Sequence, residues 1–486
     1  MKLIKLLSIG LLFPVLLLAQ TTHLSLDDAL YLAHNESYVK EFIRYDSLLH
    51  TFENKSFKTQ VLPKIFMTSN SDISHGITTV TLPDGSDRFV NRYVSNYGLN
   101  LSVSQLIPLT GGSFYISSAI RGLYNFAPEK LHSFSLNMFN FSYSQQLNNY
   151  NEYKWNKKLI EKQNVLYDTK YYQELESLNQ KIVDAYLELY IQQAYIQLNE
   201  KLSILSKDYL DRNRLLFQEG KILEEDLLDS EIQYRQLLNN AQNKTLYKKL
   251  ENNFIYLLNL PENLTLDLNY SYEIFTNIFF SFDKKQILNR CLKYNQTIQF
   301  EYDELNFQKN LQKNKASSGI VWNLSLGGGM NSYSNNFPDL LINPQRQFNI
   351  TLSASIPLLD WGNQKLTREK MDIQHKIQQL SNKEKEKNFV NDIEQELDYI
   401  LVLHQDILNE KKMMEIQNRK LELLEKKMKL EQVNVLDFSK AQTDIIKTTI
   451  SYNRKIKDLI MLIYKYRYMS LWDIMNNTPL YIDQDF

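Results

Sequence analysis

The stretch LESLNQKIVDAYLELYIQQAYI (Leu175–Ile196) decides the fold. Apolar residues recur in it every seven positions, as along one seam of a coiled coil, at Leu175, Ile182, Leu189 and Ile196. Neither glycine nor proline interrupts the surrounding sequence, so the helical pattern extends over residues 150–216. With a rise of 1.5 Å per residue such a helix is roughly 100 Å long, far beyond the usual length of a globular helix.

The plan around this helix occurs twice in the chain. The first repeat, over residues 21–270, predicts helix 26–60, strands 62–147, long helix 150–216 and helix 226–258. The second repeat, over residues 271–486, predicts helix 283–316, strands 320–356, long helix 362–428 and helix 437–471. An offset of 358 − 147 = 211 aligns Leu147 with Leu358 and Asp226 with Asp437 without a gap. A helix whose length is held equal in both repeats is predicted to be a spanning strut.

The N-terminal residues 1–20 are predicted to be an export signal, because Lys2 and Lys5 precede an apolar run that ends at Leu18. No later stretch is apolar for long enough to predict a membrane-spanning helix. The only cysteine, Cys291, lies far from the signal, so neither an intrachain disulfide nor an N-terminal lipid anchor is expected. Lys+Arg 55 against Asp+Glu 56 leaves the chain near neutral, which gives no support to a nucleic-acid partner.

Alternation with period two predicts strands between the helices, as in residues 97–104 and 348–356. One face is apolar and free of charged residues, and the other is rich in Ser, Asn and Thr. This pattern fits either the edge of a soluble sandwich or the wall of a membrane barrel. Export and the long struts favour the membrane barrel, in which Tyr97, Tyr143 and Trp361 would lie near strand ends as interfacial aromatics.

The number of strands predicts an assembly of several chains. The pattern gives at least four strands, two per repeat, and six if the turn at Thr110-Gly111-Gly112 joins a further hairpin. A membrane sheet cannot leave its edges open, and the smallest known transmembrane barrels have about eight strands. Several chains must therefore share one barrel, although strand number alone does not say how many.

Three short motifs resemble the TolC-like outer-membrane efflux family, and the resemblance covers nearly the whole mature chain. Phe217-Gln218-Glu219-Gly220 followed by Asp226-Leu227-Leu228 is similar to the family's tip motif. Residues 356–362 (IPLLDWG) resemble its strand-to-helix junction, and residues 104–112 (SQLIPLTGG) resemble a variant of it.

The resemblance implies a mixed α+β membrane protein: a homotrimer with a β-barrel of about 12 strands or more, continued by a long periplasmic α-helical barrel. It implies a place in the Gram-negative outer membrane, in contact with its lipid and extending into the periplasm. The partners it implies are a periplasmic adaptor protein and an inner-membrane transporter of the RND, ABC or MFS class.

The resemblance also implies a periplasmic gate or pore constriction at Asp437, Asp226, Lys440 and Asp229. Asp437 and Asp226 match the gate's acids by position, whereas Lys440 stands where a second acid is expected. Met428 and Val433 replace the gate's Tyr and Arg. The starts of helices explain the two aspartates equally well, because a carboxylate there meets unpaired backbone N–H groups.

The candidate residues for the tip and for adaptor docking are Gly220, Leu223, Leu227, Leu436 and Phe438. Their apolar members fit helix packing, which we favour, or contact with adaptor helices. No catalytic motif or metal-ligand spacing is present, so neither an enzyme nor a cofactor is predicted. The predicted function is a passive exit duct for tripartite efflux or type I secretion. The alternative is a non-conducting coiled-coil spacer or adhesin of the envelope.

Overall fold

The computed structural model describes residues 21–127, 129–148, 150–261, 265–268, 282–342, 344–429 and 434–480. The predicted export signal lies outside these residues. The chain divides into two compact units. Unit 1 takes its described residues from the stretches 1–47, 168–296 and 386–486, and unit 2 consists of 48–167 and 297–385.

Helices dominate unit 1 and contribute segments to unit 2. Their bounds in the described residues are α1 (Leu26–Glu36), α2 (Tyr38–Thr59), α3 (Glu152–Gln218), α4 (Glu224–Gln242), α5 (Thr245–Leu257), α6 (Lys284–Leu292), α7 (Ile298–Ser317), α8 (Asn363–Lys429) and α9 (Val435–Ser470). The π-helical segment Lys293–Thr297 joins α6 to α7. The two long helices α3 and α8 have 67 residues each. Among the described helices, none has the length and apolar character required to cross a bilayer.

Three helices predicted as continuous are interrupted in the structure. The predicted helix 26–60 breaks at Ser37, whose hydroxyl donates to the Ala33 carbonyl and accepts the N–H of Lys40. That side chain ends one helix and begins the next, and periodicity alone does not reveal it. The predicted helix 226–258 breaks at Asn243 and Lys244, and the predicted helix 283–316 contains the π-helical segment.

Unit 2 contains a six-stranded antiparallel sheet in the order β2-β3-β4-β5-β7-β8. Its strands are β2 (Lys64–Thr81), β3 (Asp87–Leu106), β4 (Ser113–Ala127), β5 (Leu131–Gln146), β7 (Val321–Ser334) and β8 (Gln345–Ser355). In unit 1, β1 (Thr21–Leu24) pairs in parallel with β6 (Thr265–Leu268), and β9 (Trp472–Asp473) pairs with β10 (Thr478–Pro479). The sequence left four or six strands open, and the described sheet has six, four from the first repeat and two from the second. The turn at Thr110-Gly111-Gly112 joins β3 to β4.

The register gives the sheet one apolar face and one polar face. The apolar face carries Ile65, Leu99, Leu101, Ile116, Ile120, Phe141, Leu326, Ile350 and Leu352. The polar face carries Asn70, Asn100, Ser102, Ser117, Asn140, Ser142, Ser325, Asn349 and Thr351. The prediction that the apolar face is free of charge was wrong at two strand ends. Arg346 of β8 lies on this face beside Met330, and Asp87 of β3 lies on it beside Thr81.

A β-bulge at Met138 keeps the apolar face continuous along β5. The apolar residues Phe134 and Leu136 occupy even-numbered positions, whereas Phe139 and Phe141 occupy odd-numbered ones. In a regular strand these two pairs would lie on opposite faces. The register shifts between Asn137 and Phe139, so two residues of β5 oppose one residue of its neighbours. The inserted residue brings both sets to the same side of the sheet.

The core of unit 1 packs around large, fully buried side chains, including Tyr186, Phe254 and Tyr466. The Tyr186 hydroxyl donates to the Leu24 carbonyl at 2.9 Å, which ties α3 to the short β1–β6 ladder. A charged network lies beside this core. In it, Arg467 of α9 donates to Glu176 of α3 at 3.1 Å and to Asp473 at 3.3 Å.

Candidate functional site

The tip of the first repeat is formed by the turn between α3 and α4, in unit 1. The N–H of Gly220 donates to the Phe217 carbonyl, and the N–H of Lys221 donates to the Leu216 carbonyl, at 2.9 and 2.8 Å. This is a Schellman motif, which places its C′ residue in the left-handed region. Gly220 has φ +70, so the turn requires glycine for its backbone conformation.

The two candidate gate aspartates occupy equivalent positions in two helices. Asp226 is the third residue of α4, and Asp437 is the third residue of α9. The N-cap residues that precede them are Leu223, which forms no side-chain cap, and Asn434, whose side chain accepts the N–H of Leu436 at 2.8 Å. Neither aspartate is therefore the N-cap, and each adds its charge to the positive end of its helix dipole.

The exposure of the four candidate gate residues differs. Asp437, Lys440 and Asp229 are exposed, and Asp226 is half-buried. Asp226 lies near the hydroxyl of Tyr209, whose pKa is raised by burial first and by the Asp226 charge as well. Asp226 also lines a cavity of about 500 Å³ together with Glu219, Met428 and Asn434, among other residues. The position equivalent to Gly220 in the second repeat, Glu431, and the gate position Val433 lie outside the described residues.

Phe438 and Met428 belong to the packing beneath the tip. Phe438 is 1% exposed, and its ring lies 4.6 Å from that of Tyr209. Met428 joins the same buried cluster, which also contains Leu202 and Leu237. Phe438 therefore has no exposed surface with which to meet a partner. The packing role that the sequence favoured for the apolar tip residues holds for Phe438.

The other apolar tip candidates differ from Phe438. Leu223 is 70% exposed, Leu436 is 69% exposed, and Leu227 is half-buried. Leucines exposed to this degree at the beginnings of α4 and α9 do not contribute to the core. They are the apolar surface that unit 1 offers at these helix starts.

The described residues contain no cluster of three or more His, Cys, Asp or Glu side chains that could hold a metal ion. Cys291 is buried, and burial raises the pKa of its thiol to about 12. A thiol in that environment is inert as a nucleophile.

The second candidate site is the apolar face of the sheet in unit 2. Its apolar side chains are exposed on the outer strands, with Met67 at 76% and Phe348 at 70%, and half-buried on the central ones, as at Ile116 and Phe141. Toward one end of the strands this face carries a group of rings that we call the aromatic band: Tyr93, Tyr97, Tyr124, Phe126, His132, Phe134 and Phe337. Neighbouring rings contact one another, as in the stacked pair Tyr93 and Phe126 at 4.6 Å.

On β4, β5 and β7, the aromatic band and Trp322 lie at opposite ends of the apolar face. Phe134 of the band pairs with Ser334, and 334 − 322 = 12 residues separate Ser334 from Trp322 on β7. At about 3.3 Å per residue this distance is about 40 Å along the strand. For strands tilted by about 40° it corresponds to a height of about 30 Å.

Solved structures show what this architecture is similar to. No protein-family profile matches the sequence, and no curated protein matches it. The open state of the Neisseria gonorrhoeae MtrE outer membrane channel aligns with TM-score 0.62 and 12% identity over 92% of this chain and 88% of that one. The Vibrio cholerae outer membrane protein VceC aligns with TM-score 0.61 and 7% identity over 93% and 96%. The Campylobacter jejuni CmeC outer membrane channel aligns with TM-score 0.57 and 11% identity over 94% and 87%.

This chain has the TolC-like fold. The resemblance seen in the sequence motifs is thus confirmed for the fold, at identities too low for overall sequence similarity to show it. Two features of this TolC-like chain were not predicted from its sequence. One is the aromatic band, of which only Tyr97 was expected. The other is strand β2, which the alternation of Ile65, Met67, Ile73 and Ile77 with polar residues could have indicated, whereas β3 contains the predicted strand 97–104.

Proposed function

We propose that this chain is one protomer of a homotrimeric outer-membrane exit duct. The duct passively conducts substrates that a periplasmic adaptor and an inner-membrane pump of the RND, ABC or MFS class deliver, in efflux or type I secretion. The observation that carries this proposal is the exposed apolar face of the six-stranded sheet. Exposed apolar areas of such extent mark surfaces that meet lipid or another protein.

The dimensions of that face support lipid as its environment. The height of about 30 Å between Trp322 and the aromatic band matches the hydrocarbon core of a bilayer. Outer-membrane barrels carry aromatic residues at both interfaces and an apolar band between them. Tyr97, as part of the aromatic band, and Trp322 suit these two interfaces.

The edges of the sheet support an assembly of identical chains. The edge strands are β2 and β8, and each has a neighbour on one side only. Alternate strands of this sheet run in opposite directions, so β2 and β8 are antiparallel to one another. The β8 edge of one chain can therefore pair with the β2 edge of the next in the same antiparallel pattern. Closure of this kind removes the unpaired backbone groups that hydrocarbon does not tolerate.

The polar face then lines the interior of the barrel, as in other water-filled channels. Its Ser, Asn and Thr side chains form hydrogen bonds with water and have no arrangement for bond chemistry. We therefore assign this chain no enzymatic activity and no cofactor. The pump supplies the energy for transport.

We place the constriction at the tip, where Asp226 and Asp437 take equivalent positions in the two repeats. Rings of acidic side chains favour cations in a pore. Several copies around one axis also repel one another when ionised. Asp229 and Lys440 are the next equivalent pair, and their opposite charges reduce the net charge of the second ring. Leu223, Leu227 and Leu436, beside the Gly220 turn, are the surface we assign to the adaptor.

Single-channel recording in planar bilayers tests this proposal. We expect the wild-type protein to conduct, and we expect Asp226→Ala and Asp437→Ala to raise the conductance and weaken the preference for cations. Asp392→Ala is the matched control, because Asp392 is an exposed aspartate within α8, remote in sequence from the tip turns.

A protein that never conducts in any variant would be the envelope spacer or adhesin, and the duct would be rejected. Tip variants that behave like Asp392→Ala would retain the duct and reject the two aspartates as its constriction.

A further inference from the structure

The two repeats differ by one inserted segment. Helices α1 and α2 end to end (26–59) and the stretch from α6 to α7 (284–317) are related by an offset of 284 − 26 = 258 residues. Helices α3 and α8 are related by 363 − 152 = 211. The first repeat therefore contains 258 − 211 = 47 additional residues between α2 and α3.

The inserted residues form the hairpin β2–β3. At the offset of 211, β5 falls on β8 and β4 overlaps β7. The strands β2 and β3 have no counterpart in the second repeat. The insertion lies at the edge of the sheet, beyond the four strands that the repeats share.

This hairpin is an integral part of the sheet. Pairing between β2 and β3 is continuous from Lys64 with Ser104 to Thr81 with Asp87. Pairing between β3 and β4 covers 14 residue pairs, with a single shift between Tyr93 and Val94. The apolar and polar faces continue across both strands. An appendage outside a barrel wall would have no reason to maintain this alternation.

Within unit 2, the helical segments lie side by side in an order that matches the order of the strands in the sheet. Phe57 of α2 stacks on Tyr153 of α3 at 5.1 Å. Lys162 of α3 pairs with Glu301 of α7 at 2.6 Å. His375 of α8 bonds to Glu304 of α7 at 2.7 Å. The order is therefore α2-α3-α7-α8, so the helix that precedes β2 and the helix that follows β8 form the two edges.

For a strand tilt typical of membrane barrels, the widths of these two layers agree when the hairpin is counted. Four helices packed about 9 to 10 Å apart span about 38 Å. Six strands, about 4.8 Å apart and tilted by about 40°, also span about 38 Å, whereas four strands span about 25 Å.

We infer that the hairpin β2–β3 is part of the barrel wall and pairs with β8 of the next chain, so that three chains close a barrel of 18 strands. This inference rests on the trimer of the proposed function. It takes the larger of the two strand numbers that the sequence left open, because three chains with four strands each would give only 12. For the same tilt, the backbone diameter rises from about 24 Å to about 36 Å. The cross-section of the exit therefore more than doubles, which suits bulky cargo such as a polypeptide.

Disulfide scanning in the intact, detergent-purified protein tests which strands meet. Thr68→Cys on the polar face of β2 is combined in turn with Thr351→Cys, Ser353→Cys and Ser355→Cys on the polar face of β8. Within one chain these strands are five strand spacings apart, about 24 Å, so no intrachain disulfide can form. Cys291 is buried, and the unmodified chain is the control for its reactivity. Ser117→Cys on β4 with the same three partners tests direct pairing of β4 with β8.

We expect Thr68→Cys, with at least one partner position on β8, to give a covalent ladder, meaning a series of disulfide-linked species that ends at the mass of three chains. We expect Ser117→Cys to give no ladder with any of the three partners. A ladder from Ser117→Cys would place the hairpin outside the barrel wall and overturn the inference. A ladder from Thr68→Cys that ends at two chains would also overturn it, because two chains make 12 strands. No ladder from either position, in a protein that does not conduct, would instead reject the proposed duct.

Discussion

The network of Arg467, Glu176 and Asp473 yields the most quantitative prediction. We predict that Arg467→Met strongly destabilises unit 1. The side chain of Glu176 is 2% exposed and that of Asp473 is 10% exposed, and the guanidinium group donates to both carboxylates. Asn179 also donates to Glu176, at 3.1 Å, but an amide does not replace a cation. Without Arg467 the carboxylate of Glu176 remains buried beside the core.

Removing one partner of a buried ion pair costs about 3–5 kcal/mol. The matched control is Arg419→Met, which breaks the pair of Arg419 with Glu422, whose side chains are 63% and 58% exposed. Exposed pairs contribute below about 1 kcal/mol. Adding Glu176→Gln to Arg467→Met should restore most of the lost stability, because glutamine is neutral and still accepts the hydrogen bond from Asn179.

Thermal unfolding in detergent, followed by circular dichroism, measures these differences. For a unit of this size, about 2–4 °C of the unfolding midpoint corresponds to 1 kcal/mol. The midpoint of Arg467→Met should therefore fall by about 6–20 °C and that of Arg419→Met by a few degrees at most. Equal midpoints for these two variants, or no recovery on adding Glu176→Gln, would refute the argument from a buried carboxylate that has lost its cationic partner.

Two further predictions concern unit 2. In liposomes with brominated acyl chains, which quench tryptophan that contacts lipid, Trp322→Phe should remove part of the quenching of tryptophan fluorescence. The control Trp472→Phe should leave the quenching unchanged. Equal effects of the two substitutions would contradict a lipid-facing Trp322. Hydrogen bonds from His375 first and from Gln308 lower the pKa of Glu304 below 4.5. A carboxyl group whose pKa is lower in the folded than in the unfolded state stabilises the fold at pH values above its unfolded pKa. This stabilisation is lost as the pH falls through its folded pKa. Below pH 4.5 the thermal unfolding midpoint of Glu304→Gln should therefore fall less steeply with pH than that of the wild type. Glu384→Gln is the control and should follow the wild type. Parallel pH profiles for the wild type and Glu304→Gln would contradict this prediction.

The tip shows how far sequence reasoning reached at the candidate site. The Gly220 turn and the position of Asp226 after it follow from local rules, because a glycine ends a helix and an acid suits the start of the next. The sequence could not tell buried Phe438 from exposed Leu436, although the two are only two residues apart. Which face of α9 is covered depends on where Tyr209 of α3 lies, and that is a contact distant in the chain.

The sequence by itself determined the long helices, their equal lengths in the two repeats and the presence of two-faced strands. These features follow from local periodicity and from the absence of glycine and proline. Only the tertiary structure decided that β2 and β3 extend the sheet to six strands, that the bulge at Met138 keeps its apolar face continuous, and that Tyr97 joins an aromatic band. The physical reason is that strand register is set by pairing between distant segments, and a slip of one residue reverses every side chain.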